Sequence, residues 1–165
     1  MDEKYYEDGV DRILRMMKDT FGDRYTYFNG ELLNVGESYL PCIMVTETAS
    51  QITSGATGTD DITETIIIIV VFNKKDDLGA NDNVELTDYK LRKMVQGQDP
   101  VTGQYYPDSI LGAVRKHLTM QNDTLQSDTQ VNFTPNMRGG ATAIATQEAY
   151  ITVTVKRFIQ VPVRD

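Results

Sequence analysis

The amino-acid sequence predicts an α+β fold of two layers, a mainly antiparallel β-sheet with helices packed on one face. Three stretches of the 165-residue chain support it: a helical repeat of apolar residues over 9–20, an apolar run over 66–72 and an apolar–polar alternation over 150–163. Strands joined mostly by hairpins, with helices gathered on one face, form such a domain. This length suits one domain with a real core, so we expect residues 1–165 to form a single domain.

The central strand is predicted over residues 62–73. From Ile66 to Phe72 every residue is apolar, and all but Phe72 are β-branched. β-branched side chains favour a pleated strand, and an unbroken apolar run leaves no polar face for water. The run is too short to span a bilayer, which takes about 20 residues. We therefore expect a strand that is buried on both faces.

Three helices are predicted. In the first, over residues 9–20, Asp8 is the expected N-cap and Gly22 the expected left-handed C′ residue. Its apolar residues recur at helical spacing: Val10, Ile13, Leu14, Met17 and Phe21. The second runs from an N-cap at Thr87 to about Gln96, and the third begins near Asp108.

The remaining strands are predicted at residues 25–29, 41–48 and 150–163, with a further half-buried strand around Val131 and Phe133. Pro162 suggests that the last strand ends at an edge of the sheet.

Three polar segments, residues 49–61, 98–107 and 134–146, are predicted to be long loops. The first is rich in Ser, Thr and Gly and far exceeds the about 2–5 residues that a simple hairpin needs. Such an excess is either a solvated tip or a functional arm. We expect segment 49–61 to be an arm that contacts another molecule.

Composition limits the possible functions. The formal net charge is −8 and the pI is about 4.6. Binding of nucleic acid needs clustered Lys and Arg, so this chain is not expected to grip it. The first eight residues have neither a basic end nor an apolar core, so they do not form a signal peptide, and we expect synthesis in the cytoplasm.

A search for catalytic chemistry finds no convincing site. The single cysteine, Cys42, excludes an internal disulfide and a cysteine-based zinc site. The single histidine, His117, is interpreted as a surface residue, and the acidic pairs at residues 60–61 and 76–77 lack the spacing of a calcium loop. We predict no catalytic residues, no cofactor and no metal site, so that the protein is not an enzyme.

Two short stretches resemble the tail terminator proteins of tailed bacteriophages. They are Phe28-Asn29-Gly30-Glu31 and Leu40-Pro41-Cys42-Ile43, set in an order of helix, strand, strand, polar hairpin and long strand. The resemblance implies a virion structural protein that forms a hexameric ring, caps the tail tube and joins it to the neck. DNA would pass through the bore without sequence-specific binding, and like charge would keep an acidic bore from gripping it.

The implied partners are copies of the same chain and other neck, tail-tube or sheath proteins, with no membrane. Assembly in the host cytoplasm would place the protein in the virion. The alternatives are another neck, head-completion or tail-completion subunit, or a small cytoplasmic enzyme with an unrecognised site. The candidate interface residues are Thr53, Thr57, Asp60, Asp61, Tyr105, Tyr106 and Arg138.

Overall fold

The computed structural model describes residues 7–55, 58–77, 86–117, 119–120, 123–125, 128–139 and 142–162. In this part of the chain the helices are α1 (Gly9–Phe21), α2 (Thr87–Gln96) and α3 (Ile110–Lys116). The strands are β1 (Thr26–Asn29), β2 (Cys42–Ser54), β3 (Thr59–Asn73), β4 (Thr119–Met120), β5 (Asp123–Leu125), β6 (Gln130–Arg138) and β7 (Ile144–Gln160).

The strands form one sheet in the order β1-β2-β3-β7-β5-β4, and β6 also pairs with β7. β1 runs parallel to β2, whereas every other pairing is antiparallel. β3 lies between β2, which pairs with its residues 60–71, and β7, which pairs with residues 59–73. Ile68 faces Val45 on one side and Ile151 on the other. The prediction of a central strand is therefore confirmed.

The three helices cover one face of the sheet, which we call the helix face. Its core joins alternate residues of the central strands, such as Ile66, Ile68 and Ile151, to apolar residues of all three helices. α1 begins where Asp8 accepts a hydrogen bond from the amide of Asp11 at 2.8 Å, as its predicted N-cap role requires. The predicted α+β fold with helices on one face is confirmed.

Residues 30–41, which we call the strap, cover the opposite face of the sheet. We call this face the strap face. Val35 of the strap is buried there together with Cys42, Met44, Ile69 and Val71. Burial raises the pKa of the Cys42 thiol to about 12, so this side chain is a protonated core residue at neutral pH. The strap completes the covering that the two apolar faces of β3 require.

Two of the three segments predicted as loops contain β-structure. β2 continues to Ser54 and β3 starts at Thr59, so most of segment 49–61 is paired strand. In segment 134–146, β6 runs to Arg138 and β7 starts at Ile144. These loop predictions were wrong because strands with few apolar residues form here through pairing with β3 and β7, which local sequence does not report.

The start of α2 and the position of β7 in the sheet differ from the predictions. Thr87 is the first residue of α2 rather than its N-cap, and both its amide and its hydroxyl bond to the Asp77 carboxylate at 2.7 Å. β7 lies inside the sheet rather than at an edge, since β3 pairs along one side and β5 and β6 along the other. Pro162 follows the end of this strand, and the predicted end at Val163 lies outside the described residues.

Candidate interaction surface

The hairpin of β2 and β3 extends past the part of the sheet that the helices cover. We call residues 46–63 the arm. The β2 side chains from Glu47 to Ser54 are all exposed, whereas those from Cys42 to Val45 are buried. At the tip, Gly58 has a φ of +82°, and its carbonyl accepts a hydrogen bond of 2.8 Å from the amide of Val161 just beyond β7. β7 thus supports one side of the arm.

The arm presents different side chains on its two faces because residues alternate along each strand. Glu47, Ile52 and Asp60 project to the helix-face side, in line with Ile62 and Ile66. Thr53, Asp61 and their neighbour Phe158 of β7 project to the other side. Ile52 is 62% exposed and Phe158 is 63% exposed, so each face carries one large apolar side chain in solvent.

The outer edge of the arm has no strand beside it among the described residues. β1 pairs with β2 only from Cys42 to Val45, and the Gly30 amide makes the last bond, 2.7 Å to the Val45 carbonyl. From Thr46 onward, β2 therefore presents backbone groups to solvent. The pairing register shifts between Glu47 and Ala49, which places a β-bulge at Thr48.

The base of the arm is fixed by a buried carboxylate. Glu64 accepts a hydrogen bond from the Gly9 amide at 2.9 Å and forms an ion pair with Arg157 of β7. The acceptor also lies at the N-terminus of α1, where negative charge is favourable. Helix α1 and two strands thus meet at one residue, which holds the arm at a set position relative to the helices.

The predicted interface residues lie in several places. Thr53 and Asp61 are exposed on the arm, Asp60 is half-buried there, and Thr57 lies outside the described residues. Tyr105 and Tyr106 belong to the segment between α2 and α3, where Tyr105 pairs with Gln98 in an isolated bridge. The arm therefore brings together only part of the predicted set.

Within the 98–107 segment, Asp99 holds a turn over residues 99–102. The Asp99 carboxylate accepts hydrogen bonds from the amides of Val101 at 2.7 Å and Thr102 at 3.2 Å. This geometry leaves the Val101 side chain 90% exposed at the turn. The prediction of a long irregular segment holds here except for the bridge.

Arg138 is buried, so its assignment to an interface was wrong. Its side chain is 4% exposed and forms a bidentate pair with Glu148, with both N–O distances at 2.7 Å. It also donates a bond of 2.7 Å to the Leu32 carbonyl of the strap, and the hydroxyl of Tyr150 donates to Glu148 at 2.7 Å. Bidentate pairs of this kind are strong and geometrically specific, so Arg138 fastens the strap to the sheet.

The pKa values of this pair shift in opposite directions, and both shifts favour the charged form. The hydrogen bond with Glu148 raises the pKa of Arg138. Burial alone would raise the pKa of Glu148, but its bonds with Arg138, Thr146 and Tyr150 outweigh burial and lower it. Both groups therefore stay charged at neutral pH, and the cluster stabilises the fold.

Beside the cluster, an open cavity of about 470 Å³ separates the strap from the turn between β6 and β7. Its one carboxylate, Glu37, is paired with Lys75. Within the residues described, no three His, Cys, Asp or Glu side chains converge as metal ligands would. His117 ends α3, where its amide bonds to the carbonyls of Ala113 and Val114 at 3.3 Å.

No protein-family model matches this chain, and no curated protein matches its sequence. None of the described helices has the length and apolar character needed to cross a membrane.

Proposed function

We propose that this chain is a virion structural protein of a tailed bacteriophage, a tail terminator that forms a ring, caps the tail tube and joins it to the neck. The arm is the observation that carries this proposal. It exposes a strand edge and Ile52 beside the exposed Phe158 of β7. Unpaired edges and exposed apolar side chains are features of protein interfaces.

A closed ring of one chain accounts for such an arm. In a ring, every copy uses its arm against a neighbour, and closure prevents open-ended growth. The resemblance of residues 28–31 and 40–43 to tail terminators supports this role and a copy number of six. The net charge of −8 favours a bore through which DNA passes without being held.

The first test is the assembly of the purified protein. We expect a closed ring, with six copies as the proposed number, when its mass is measured by light scattering and its shape by negative-stain electron microscopy. Open filaments or a monomer at every concentration would count against the proposal.

The second test is a phage from which the gene for this protein has been deleted. We expect lysates with filled heads beside tails that are unjoined or of uncontrolled length, and restoration of particles when the protein is supplied from a plasmid. Infectious particles with an intact neck would rule out the proposed function.

A further inference from the structure

The helical layer carries positive charge on a chain that is acidic as a whole. α1, α2 and α3 together contain eight Lys and Arg residues against three Asp residues. The arm has the opposite balance, since residues 46–63 include three acids and no Lys or Arg. One chain thus carries two surfaces of opposite sign.

Helix α2 adds apolar contact area to this positive charge. Tyr89, Lys90 and Lys93 lie on one side of α2, opposite the buried Leu91, Met94 and Val95. Leu86, the N-cap residue with an extended backbone, precedes them at the same i, i+3, i+4, i+7 spacing. Leu86 is 47% exposed and Tyr89 is 44% exposed, while no large exposed apolar residue of the described chain belongs to α1 or α3. We call this stripe the α2 stripe.

The arm offers a matching surface. On its helix-face side, Ile52 has Asp60 at the next pair toward the tip. Glu47 lies on the other side of Ile52, beyond Ser50, whose hydroxyl donates a hydrogen bond to it. The α2 stripe has apolar Leu86 and Tyr89 toward its N-terminus and the ammonium groups of Lys90 and Lys93 toward its C-terminus. Within the described residues no acidic side chain pairs with Lys90 or Lys93. The two surfaces are complementary in both charge and apolar content.

The two surfaces of one chain cannot meet. Asp60 is near the start of β3 and Glu47 pairs with Ile66 at its middle. α2 is tied to the other end, because Thr87 bonds to Asp77 just after Asn73. At roughly 3.3 Å per residue, β3 separates Asp60 from Asn73 by roughly 40 Å. An arm that binds this stripe must therefore come from another copy.

We propose that the arm of one copy docks through Glu47, Ile52 and Asp60 on the α2 stripe of the next copy. This inference rests on the proposed ring and names its contact. Because two different surfaces of the chain meet, the contact is head-to-tail, the type that closes into a ring when the rotation between copies permits. Attraction of this kind weakens as salt is added.

Two charge-reversal variants test the contact. The arm variant carries Glu47→Lys and Asp60→Lys, and the helix variant carries Lys90→Glu and Lys93→Glu. In each variant alone, like charges face each other, and we expect association about a hundredfold weaker at low salt. The control, Lys18→Glu with Lys116→Glu, reverses two exposed charges of the same layer away from the stripe, and its association should be unchanged.

Mixing the two variants provides a sharper test. The arm variant has a basic arm and a basic stripe, whereas the helix variant has an acidic arm and an acidic stripe. Every arm can then meet a stripe of opposite charge, so we expect an equimolar mixture to assemble with the two chains alternating, as measured by sedimentation velocity and native mass spectrometry. Circular dichroism verifies that each variant is folded.

The outcomes separate this contact from the ring itself. If the unaltered chain forms a ring and neither variant weakens it, or if the mixture does not assemble, the contact is wrong and the proposed ring stands. If the unaltered chain stays monomeric at every concentration and salt, both proposals fail.

Discussion

Gly9 is the first residue of α1 and lies against the buried carboxylate of Glu64. A Cβ at this position would lie 2.2 Å from the Glu64 Oε2 and 2.7 Å from the Ile66 Cδ1. Helix propensity favours alanine over glycine, but the clash would displace the ion pair at the base of the arm. We expect Gly9→Ala to lower the free energy of unfolding by about 1–3 kcal/mol in urea titrations.

Gly36 provides the matched control for this substitution. Its φ is −66°, and the nearest atom to an added Cβ would be the Tyr39 Cδ2 at 3.4 Å. Gly36→Ala should therefore be nearly neutral. If Gly9→Ala were as stable as Gly36→Ala, the close approach of α1 to Glu64 would be wrong.

The Arg138–Glu148 pair makes a second prediction at the scale of single residues. Glu148→Gln keeps the shape of the side chain but removes the bidentate counter-charge of the buried guanidinium, leaving only Glu31 at 3.5 Å, which costs about 3–5 kcal/mol. The control Glu37→Gln removes a partly exposed pair with Lys75 and should cost at most about 1 kcal/mol. Equal losses in the two variants would contradict the structural role of the cluster.

The same pair sets a dependence on pH. The pKa of Glu148 is lowered in the fold, so its ionisation stabilises the protein fully above the unfolded-state pKa of about 4.3. This stabilisation is lost as the pH falls through the lower pKa of the folded state. The difference in unfolding free energy between the unaltered protein and Glu148→Gln should be large at pH 7 and narrow below about pH 4.

At the scale of elements, β3 determines whether the domain folds. Ile68 is fully buried between β2 and β7. Ile68→Asp would place a carboxylate without a partner in the core, at a cost of several kcal/mol, comparable to the whole stability of a domain. We expect insoluble or unfolded protein, whereas Thr53→Asp on the exposed arm should fold normally; a soluble, folded Ile68→Asp protein would contradict the central position of β3.

We expect the domain to fold without the outer part of the arm. Ser50 and Glu64 face each other across the hairpin, so replacing residues 51–63 with Asn-Gly joins them by a two-residue turn. We expect a folded monomer by circular dichroism and size-exclusion chromatography, with no ring. A shortened chain that still forms rings would show that the arm is not the contact.

Sequence patterns located the elements whose burial is regular. The apolar run in β3 and the helical stripe of α1 depend on periodicities that a single segment carries. The arm and the start of β7 are strands because β3 and β6 pair with them, and their Ser, Thr and Gln residues show no local signal. Arg138 was assigned to a loop, and its burial depends on Glu148 and on Leu32, far away in sequence.

At the scale of the whole molecule, the arm and the α2 stripe give the chain a direction. The arm projects at one end of β3, and α2 is anchored at the other. If the proposed contact forms, it is head-to-tail, and the number of copies in a closed ring follows from the angle between neighbours. Six copies would require a rotation of about 60° at each contact.

The β-bulge at Thr48 disfavours aggregation through the exposed edge of the arm. An unpaired strand edge invites uncontrolled addition of further strands, and a bulge disrupts the regular spacing of amides and carbonyls that such addition needs. Deleting Thr48 would preserve the pairing of Glu47 with Ile66 and of Ala49 with Thr65 while making the edge regular. We expect this deletion variant to fold but to aggregate faster on mild heating, as measured by light scattering and thioflavin T fluorescence. The irregularity would then protect the exposed edge of the arm from the uncontrolled addition of strands.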